Sequence, residues 1–518
     1  MGVTIASVLR QPALRTPERT AAVLCDGDTR AEVSYAALDL SARKVAGALR
    51  ARGLRQGDRV ALCAANGEAF LTCWFGAAYA GCAVVPIPVV SAAPEIAFRV
   101  GHAGAALLIS DAARADLAET ALARLDPGGP PVARSDATAL LDAAPPIDVP
   151  ADLSPDALAM VLYTSGTTGR PKGATITHAS LMTHTAALVT HTLDLDPDDR
   201  VLGVLPFTHS FGLRMAVLAP FYAGARTVVM DRFEAATTRA VIEREGVTWV
   251  PAVPTMFARW ADASAGPEHA PQHASLRWCL SAGAPLADPV RRRAEARLGA
   301  PIREGYGLTE ATFAAIDAPP GPPTPGSVGR PVWGVEVRIA GADGAPAARG
   351  ETGEILVRGQ NVMAGYLGDP GATAATVRDG YVHTGDLGRL DGDGKLFVVD
   401  RRIDLILRGG HNVYPSEVED ALAAHPSVAR VAVIGRPDRE YGEEVVAVVV
   451  VRDGAALTPG ALDAFARERL AKTTVPREVA FAEALPLGPS GKVDKRALRS
   501  ALFDGTLKTT RCKASDES

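Results

Sequence analysis

Along the first two thirds of the chain, short apolar runs alternate with longer helix-like stretches. RVALCAAN at 59–66, for example, gives way to an apolar helical segment near 68–81. A short apolar run bounded by turn residues suits a strand buried on both faces, and intervening helices supply the cover. The alternation therefore predicts an α/β fold with covered sheets. ALAMVLY at 157–163 predicts another such strand. Residues 142–155, rich in Pro, Ala and Asp, predict a connection, and DAPPGPPTPGSVGRP at 317–331 a surface loop or subdomain joint. DGDGK at 391–395 predicts a hairpin turn, because no calcium-loop ligand spacing follows it.

The last ~120 residues have a different rhythm. Ser416 with Glu419 predicts a capping box opening the helix SEVEDALAAH. Strands are expected at 427–435 and 444–451, then a helix over 459–471, a compact α+β unit with its own small core. A chain of 518 residues also exceeds what one core supports. The expected organisation is a large N-terminal domain over 1–400, a hinge at 401–402, a small mobile domain over 403–505 and a frayed polar tail over 506–518.

Composition narrows the function classes. Apolar residues make up 47% and charged residues 22%, an ordinary globular balance. Lys and Arg total 54 against 59 acidic residues, a formal charge of -5 that gives no general attraction to nucleic acid or anionic membrane. The six cysteines form no CxxC pair and the ten histidines no HExxH, so idle thiols in a reducing compartment are expected. The first twenty residues lack a signal-peptide pattern, and Ala6 breaks the myristoylation pattern. No uncharged apolar run is long enough for a bilayer, and a cytoplasmic protein without an integral membrane segment is expected.

The chemistry concentrates first in YTSGTTGRPKG at 163–173. An apolar strand runs into Thr164, Ser165, Gly166, Thr167, Thr168 and Gly169, then meets Lys172. Phosphate binding needs unobstructed backbone N–H groups, hydroxyl donors and a cation, and this loop has all three. It is not a Walker A loop, since Pro171 precedes Lys172 and Gly173 follows it.

This segment resembles the signature loop of the adenylate-forming superfamily, which includes acyl-CoA synthetases, carrier-protein-loading adenylation enzymes and luciferases. Six further segments follow in the family's order: LPFTHSFGL (205–213), SAGAPL (281–286), EGYGLTEAT (304–312), YVHTGDLG (381–388), VDRRIDLILRGGHNVYPSEVE (399–419) and LPLGPSGKVDK (485–495). The pattern is most similar to that of fatty-acid–CoA ligases and related acyl-CoA synthetases, and it covers essentially the whole chain.

The resemblance implies ATP, Mg2+ and a thiol, either coenzyme A or the phosphopantetheine of a carrier protein. It makes Glu310 the metal carboxylate, with Thr309 and Thr164 nearby; a hard oxygen is what magnesium prefers when it also holds phosphates. Tyr306, within Gly305 and Gly307, would stack on adenine, with Gly283, Ala284 and Pro285 on the other side. Asp386 and Arg401 would hold the ribose. Lys492 would bridge carboxylate and α-phosphate, where one anion attacks another. Gly409 and Gly410 would line the thiol tunnel after the small domain swings. One departure stands at the hinge: two residues beyond Arg401 the family usually has Asp or Lys, and this chain has Ile403 followed by Asp404.

The acid is less well specified. THSFGL resembles the corresponding segment of fatty-acyl ligases, with His209 bordering the carboxylate beside Phe211 and Gly212, while Trp249, Pro254 and Phe257 are expected to shape an apolar cavity. Enzymes for α-amino acids typically place Asp after the Phe, where this chain has Gly212. Asp231 could anchor an amine, although a solvated charge is its ordinary role. The expected activity is thioester formation between a small-molecule carboxylic acid, aliphatic and of medium or long chain, and coenzyme A. Two alternatives stay open, a stand-alone enzyme loading an acyl or non-α-amino acid onto a carrier protein and a catalytically inactive binding homologue. The sequence sets no oligomeric state.

Overall fold

The computed structural model describes residues 4–27, 29–164, 171–262, 275–488 and 493–512. Strands linked through helices lie side by side in parallel, because the crossover returns the chain to the same edge. Two sheets of this kind form. The first has nine strands, in the order Arg330–Pro331, Thr312–Ile316, Ile302–Leu308, Trp278–Ala282, Trp249–Ala252, Arg200–Gly203, Arg226–Met230, Thr20–Asp26 and Thr29–Ser34. Its six central strands are parallel, and hairpin strands close both edges. The second has seven, in the order Gly365–Tyr366, Lys172–Thr177, Leu158–Thr164, Ala83–Pro86, Arg59–Cys63, Leu107–Ser110 and Ala133–Asp136.

Helices Tyr35–Ala51, Glu68–Ala80 and His178–Leu188 fill the space between these sheets. Ser34 starts the first of them, its hydroxyl accepting from Ala37 N at 3.2 Å and satisfying one of the free donors of the opening turn. The core between the sheets joins Leu38, Val45, Phe70 and Trp74 to Ala22 of the first sheet and to Leu62 and Met160 of the second. All six cysteines are buried free thiols. No helix among the described residues is long and apolar enough to cross a membrane.

A third sheet, of five strands, stands against the first and ends in Leu396–Arg401, which pairs with Tyr381–Leu390. The turn between these two is the expected one at DGDGK, with the Asp391 carboxylate accepting from the N–H groups of Asp393 and Lys395. A fourth sheet begins at Ile406 and builds the small domain around Val418, Leu422, Val433, Val445 and Leu462. The chain is a mixed α/β protein with a large N-terminal and a small C-terminal domain. Side-chain contacts link the fourth sheet's domain to the rest. Ser416 N donates to Asp400 Oδ2 at 2.9 Å, and Arg452 pairs with Asp262 at 2.8 Å.

Two expectations are corrected. The capping box at Ser416 and Glu419 does not form. The helix runs Pro415–Ala423, opened by Pro415, whose missing N–H falls where helices leave one unbonded anyway. The Ser416 hydroxyl donates to the Val399 carbonyl, while Glu419 pairs with Lys495 at 2.8 Å and accepts from Val433 N at 2.7 Å. Tertiary partners have outcompeted the local ones. The tail also departs from a frayed segment as far as residue 512. Thr510–Arg511 pairs with Glu478–Phe481, and Cys512 is buried in the small domain's core.

His178 anchors the N-terminal helix Ala6–Arg15, its Nδ1 accepting from Ile5 N at 3.3 Å. Burial pushes this imidazole down to about 4 from its ordinary 6.5. The folded state therefore favours neutral His178. Its contribution is full above pH 6.5 and is lost as pH falls through 4, reaching about 3 kcal/mol. His178→Asn, which keeps an acceptor but does not titrate, is expected to flatten the pH dependence of urea unfolding between pH 6.5 and 4; an unchanged slope would assign it to other groups.

Candidate active site

In an open parallel sheet, loops leaving the carboxyl ends of the strands converge on one edge. Here that edge gathers four segments. His209 follows strand Arg200–Gly203, Pro254 follows Trp249–Ala252, Gly283 to Pro285 follow Trp278–Ala282, and Thr309 with Glu310 follows Ile302–Leu308. The seven-stranded sheet brings its own edge to the same place. Thr208, His209, Ser210 and Thr309 line one cleft with Pro86, Pro88, Leu162 and Tyr163.

The turn carrying Thr309 and Glu310 is tightly constrained. A Cβ on Gly307 would lie 2.0 Å from the Thr312 carbonyl oxygen, so only glycine permits this approach. Thr312 has φ of +35°, a left-handed conformation that β-branched residues avoid at a cost of roughly 1–3 kcal/mol. Its hydroxyl meets His184 Nδ1 at 3.0 Å, and burial holds that imidazole far below its ordinary range, hence neutral. Asn361, fully buried, donates to the carbonyls of Ala311 and Phe313. Met363 N donates to the Glu310 carbonyl at 2.8 Å. The Glu310 carboxylate accepts from Tyr366 Oη at 2.7 Å.

Thr164 and Lys172 face each other across the hairpin of Leu158–Thr164 and Lys172–Thr177. The Lys172 ammonium lies 5.1 Å from the centre of the Tyr366 ring, so this hairpin and the Glu310 turn meet at one tyrosine. Ser165, Gly166, Thr167, Thr168, Gly169 and Lys492 lie outside the described residues.

A second constellation forms around Asp386, which accepts from Tyr306 Oη at 2.5 Å and has Arg401 Nε at 3.5 Å. Burial, reinforced by the Asp386 charge, raises the Tyr306 phenol well above its usual range and keeps it a donor. Strand pairing sets Gly305 beside Ala282, bringing Tyr306 next to the turn of Gly283. Burial pushes neighbouring Glu304 up to about 8, with the Asp420 carboxylate of the small domain adding to the effect.

The acid-side residues divide. Phe211 stands edge-to-face with Phe313 at 5.3 Å, and Gly212 packs where a Cβ would lie 2.2 Å from the Pro206 carbonyl oxygen. Pro254 opens helix Pro254–Asp262 at the carboxyl edge. Trp249 does not join them. It begins its strand, pairs with Trp278 and packs ring to ring with it at 5.3 Å, roughly 10 Å of strand away from the edge. It is a core residue, placed there by strand direction. Phe257 is likewise buried in a cluster on the other face of the sheet. Asp231 is exposed.

Gly409 and Gly410, at φ +56° and +80°, close the hairpin of Ile406–Arg408 and His411–Val413 in the small domain. After Arg402, Ile403 is exposed, and Asp404 is taken by Arg499 at 2.6 Å. Sequence reasoning missed Tyr366, Asn361 and His184. None carries a local signal, because each meets the turn from 48 or more positions away.

The family model described as AMP-binding enzyme matches residues 9–367, and that for the AMP-binding enzyme C-terminal domain matches 417–492. The chain belongs to the AMP-binding enzyme family. A feruloyl-CoA synthase from an Amycolatopsis species is 38% identical over 90% of this chain and 93% of its own. The long-chain-fatty-acid–CoA ligase FadD13 of Mycobacterium tuberculosis is 34% identical over 96% and 98%. The crystal structure of ATP-bound MatB from Rhodopseudomonas palustris superposes with a TM-score of 0.89 at 31% identity, covering 97% of this chain and 99% of that one. Within the family this member is an AMP-forming acid–thiol ligase.

Gly307→Ala is expected to lower the thermal unfolding midpoint by the equivalent of about 1–3 kcal/mol and to depress ATP–pyrophosphate exchange by displacing Glu310. Full exchange in a destabilised variant would separate the turn from the chemistry.

Proposed function

We propose that this ligase activates an apolar monocarboxylic acid with ATP and transfers the acyl group to coenzyme A. A carboxylate oxygen attacks the α-phosphorus, the bond to the bridging oxygen breaks, and pyrophosphate leaves an acyl-adenylate. The thiol sulfur then attacks the acyl carbon and AMP departs. The observation that carries this reading is the meeting of Thr164, Lys172, Tyr366 and Glu310 on one side of the cleft holding His209 and Thr309. Such a site works by positioning and charge stabilisation.

In this reading the glycine loop with Lys172 cradles the phosphates, and Asp386 with Arg401 accepts the ribose. Tyr306 stacks on adenine against Gly283, Ala284 and Pro285. His209 borders the carboxylate, and Lys492 offsets the charge where the two anions meet. The donor set suits magnesium, since Glu310 and Thr164 offer hard oxygens beside the phosphate lysine. The bound ion would neutralise phosphate charge. After adenylation the small domain turns about 401–402 and presents the Gly409–Gly410 hairpin to the pantetheine, one site serving two reactions.

A medium- or long-chain aliphatic acid is the leading substrate class, supported by the THSFGL segment and by the likeness to FadD13. A planar aryl acid is the second reading, favoured by the edge-to-face pair Phe211 and Phe313. ATP–pyrophosphate exchange across aliphatic and aryl acids, followed by acyl transfer to coenzyme A against a phosphopantetheinylated carrier protein, decides both questions. Exchange with poor transfer to coenzyme A would make the carrier protein the acceptor. No exchange with any acid would overturn the reading.

Lys492→Ala is expected to reduce exchange by about two to three orders of magnitude while leaving thioester formation from synthetic acyl-adenylate nearly intact. Equal loss in both half-reactions would contradict the assigned role.

A further inference from the structure

Tyr366 occupies an unusual position between two charges of opposite sign. Its strand, Gly365–Tyr366, pairs with Lys172–Thr177 through Tyr366 opposite Ala174, and Leu367 N donates to the Gly173 carbonyl at 2.8 Å. The Thr175 hydroxyl donates to the Gly365 carbonyl at 2.7 Å, and Tyr366 N donates to Thr373 Oγ1 at 2.8 Å. These bonds fix the backbone on both sides of the residue. The residue is 9% exposed. Its hydroxyl donates to Glu310 Oε1 at 2.7 Å, and its ring lies 5.1 Å from Lys172 Nζ.

We infer that Tyr366 is a positioning residue that keeps Glu310 and Lys172 apart, holding the carboxylate for the metal through its hydroxyl and the ammonium for the phosphates on its ring. The inference rests on the proposed function, which gives those two residues their roles. A lysine and a glutamate that both reach one side chain in a partly buried cleft attract strongly if nothing separates them. Paired with each other, each would have to be pulled free before it could bind its own ligand. A phenol separates them without adding charge. The hydroxyl satisfies one carboxylate oxygen and fixes the group's orientation, while the ring face gives the ammonium a favourable place that binds it less firmly than a carboxylate would.

Two substitutions divide the two contacts. Tyr366→Phe keeps the ring and removes the hydroxyl; Tyr366→Leu removes both. The full chain is titrated calorimetrically with ATP in the presence of Mg2+ and again with EDTA, and exchange is measured against Mg2+ concentration. Tyr366→Phe is expected to weaken Mg-ATP binding and raise the half-saturating Mg2+ concentration about tenfold, the scale of one hydrogen bond to a charged group. Its affinity for metal-free ATP and its rate at saturating Mg2+ should change less than about threefold. Tyr366→Leu should weaken metal-free ATP binding as well, because Lys172 then falls to Glu310. A Tyr366→Phe protein with wild-type thermal stability and an unchanged Mg2+ requirement would overturn the inference, as would an equal loss with and without metal. Wild-type protein that bound no ATP in either titration would instead overturn the proposed function.

Discussion

The contact between Gly307 and the Thr312 carbonyl governs the geometry of the turn that carries Glu310. It is too close for any side chain, and it turns the chain sharply enough to place Thr312 in a left-handed conformation. A turn so disfavoured persists only when its surroundings over-determine it. His184 from a helix, Asn361 and Met363 from one loop, and Tyr366 from the neighbouring sheet all grip the four residues from 310 to 313. The two large sheets are therefore coupled through this turn as well as through the helices packed between them.

The α/β rhythm was legible because strands buried on both faces leave continuous apolar runs, and Leu158–Thr164 and Glu68–Ala80 lie where those runs predict. The position of Thr309 and Glu310 after a strand was legible for a related reason: an acid–hydroxyl pair is local in sequence. What escaped is non-local. Tyr366 reads as an ordinary tyrosine until the sheet carries it 56 positions back to Glu310. Trp249 looks like a cavity wall by composition, yet strand direction, which no residue encodes alone, sends it to the far end of the sheet. Ser416 and Glu419 had the spacing of a capping box, but Val399 and Lys495 offered the same groups better partners.

The small domain is joined to the strand of Asp386 through one short stretch. Arg401 is the last residue of the strand that pairs with Asp386, Arg402 N donates to the Gly385 carbonyl at 2.8 Å, and Asp404 is held by Arg499 of the small domain's helix Lys495–Phe503. Ile403 stands exposed between these anchored neighbours. With no polar partner of its own type to engage, it leaves orientation at this joint to the backbone and to Asp404.

The ion pair of Arg452 and Asp262 has a consequence for how the two domains rest against each other. Both side chains are partly exposed, at 28% and 41%. An exposed pair contributes at most about 1 kcal/mol. At physiological ionic strength the surrounding ions screen such a pair over about 8 Å. The electrolyte therefore acts as a tuning variable for this contact: dilute buffer strengthens the pair, and concentrated salt weakens it without altering a single residue.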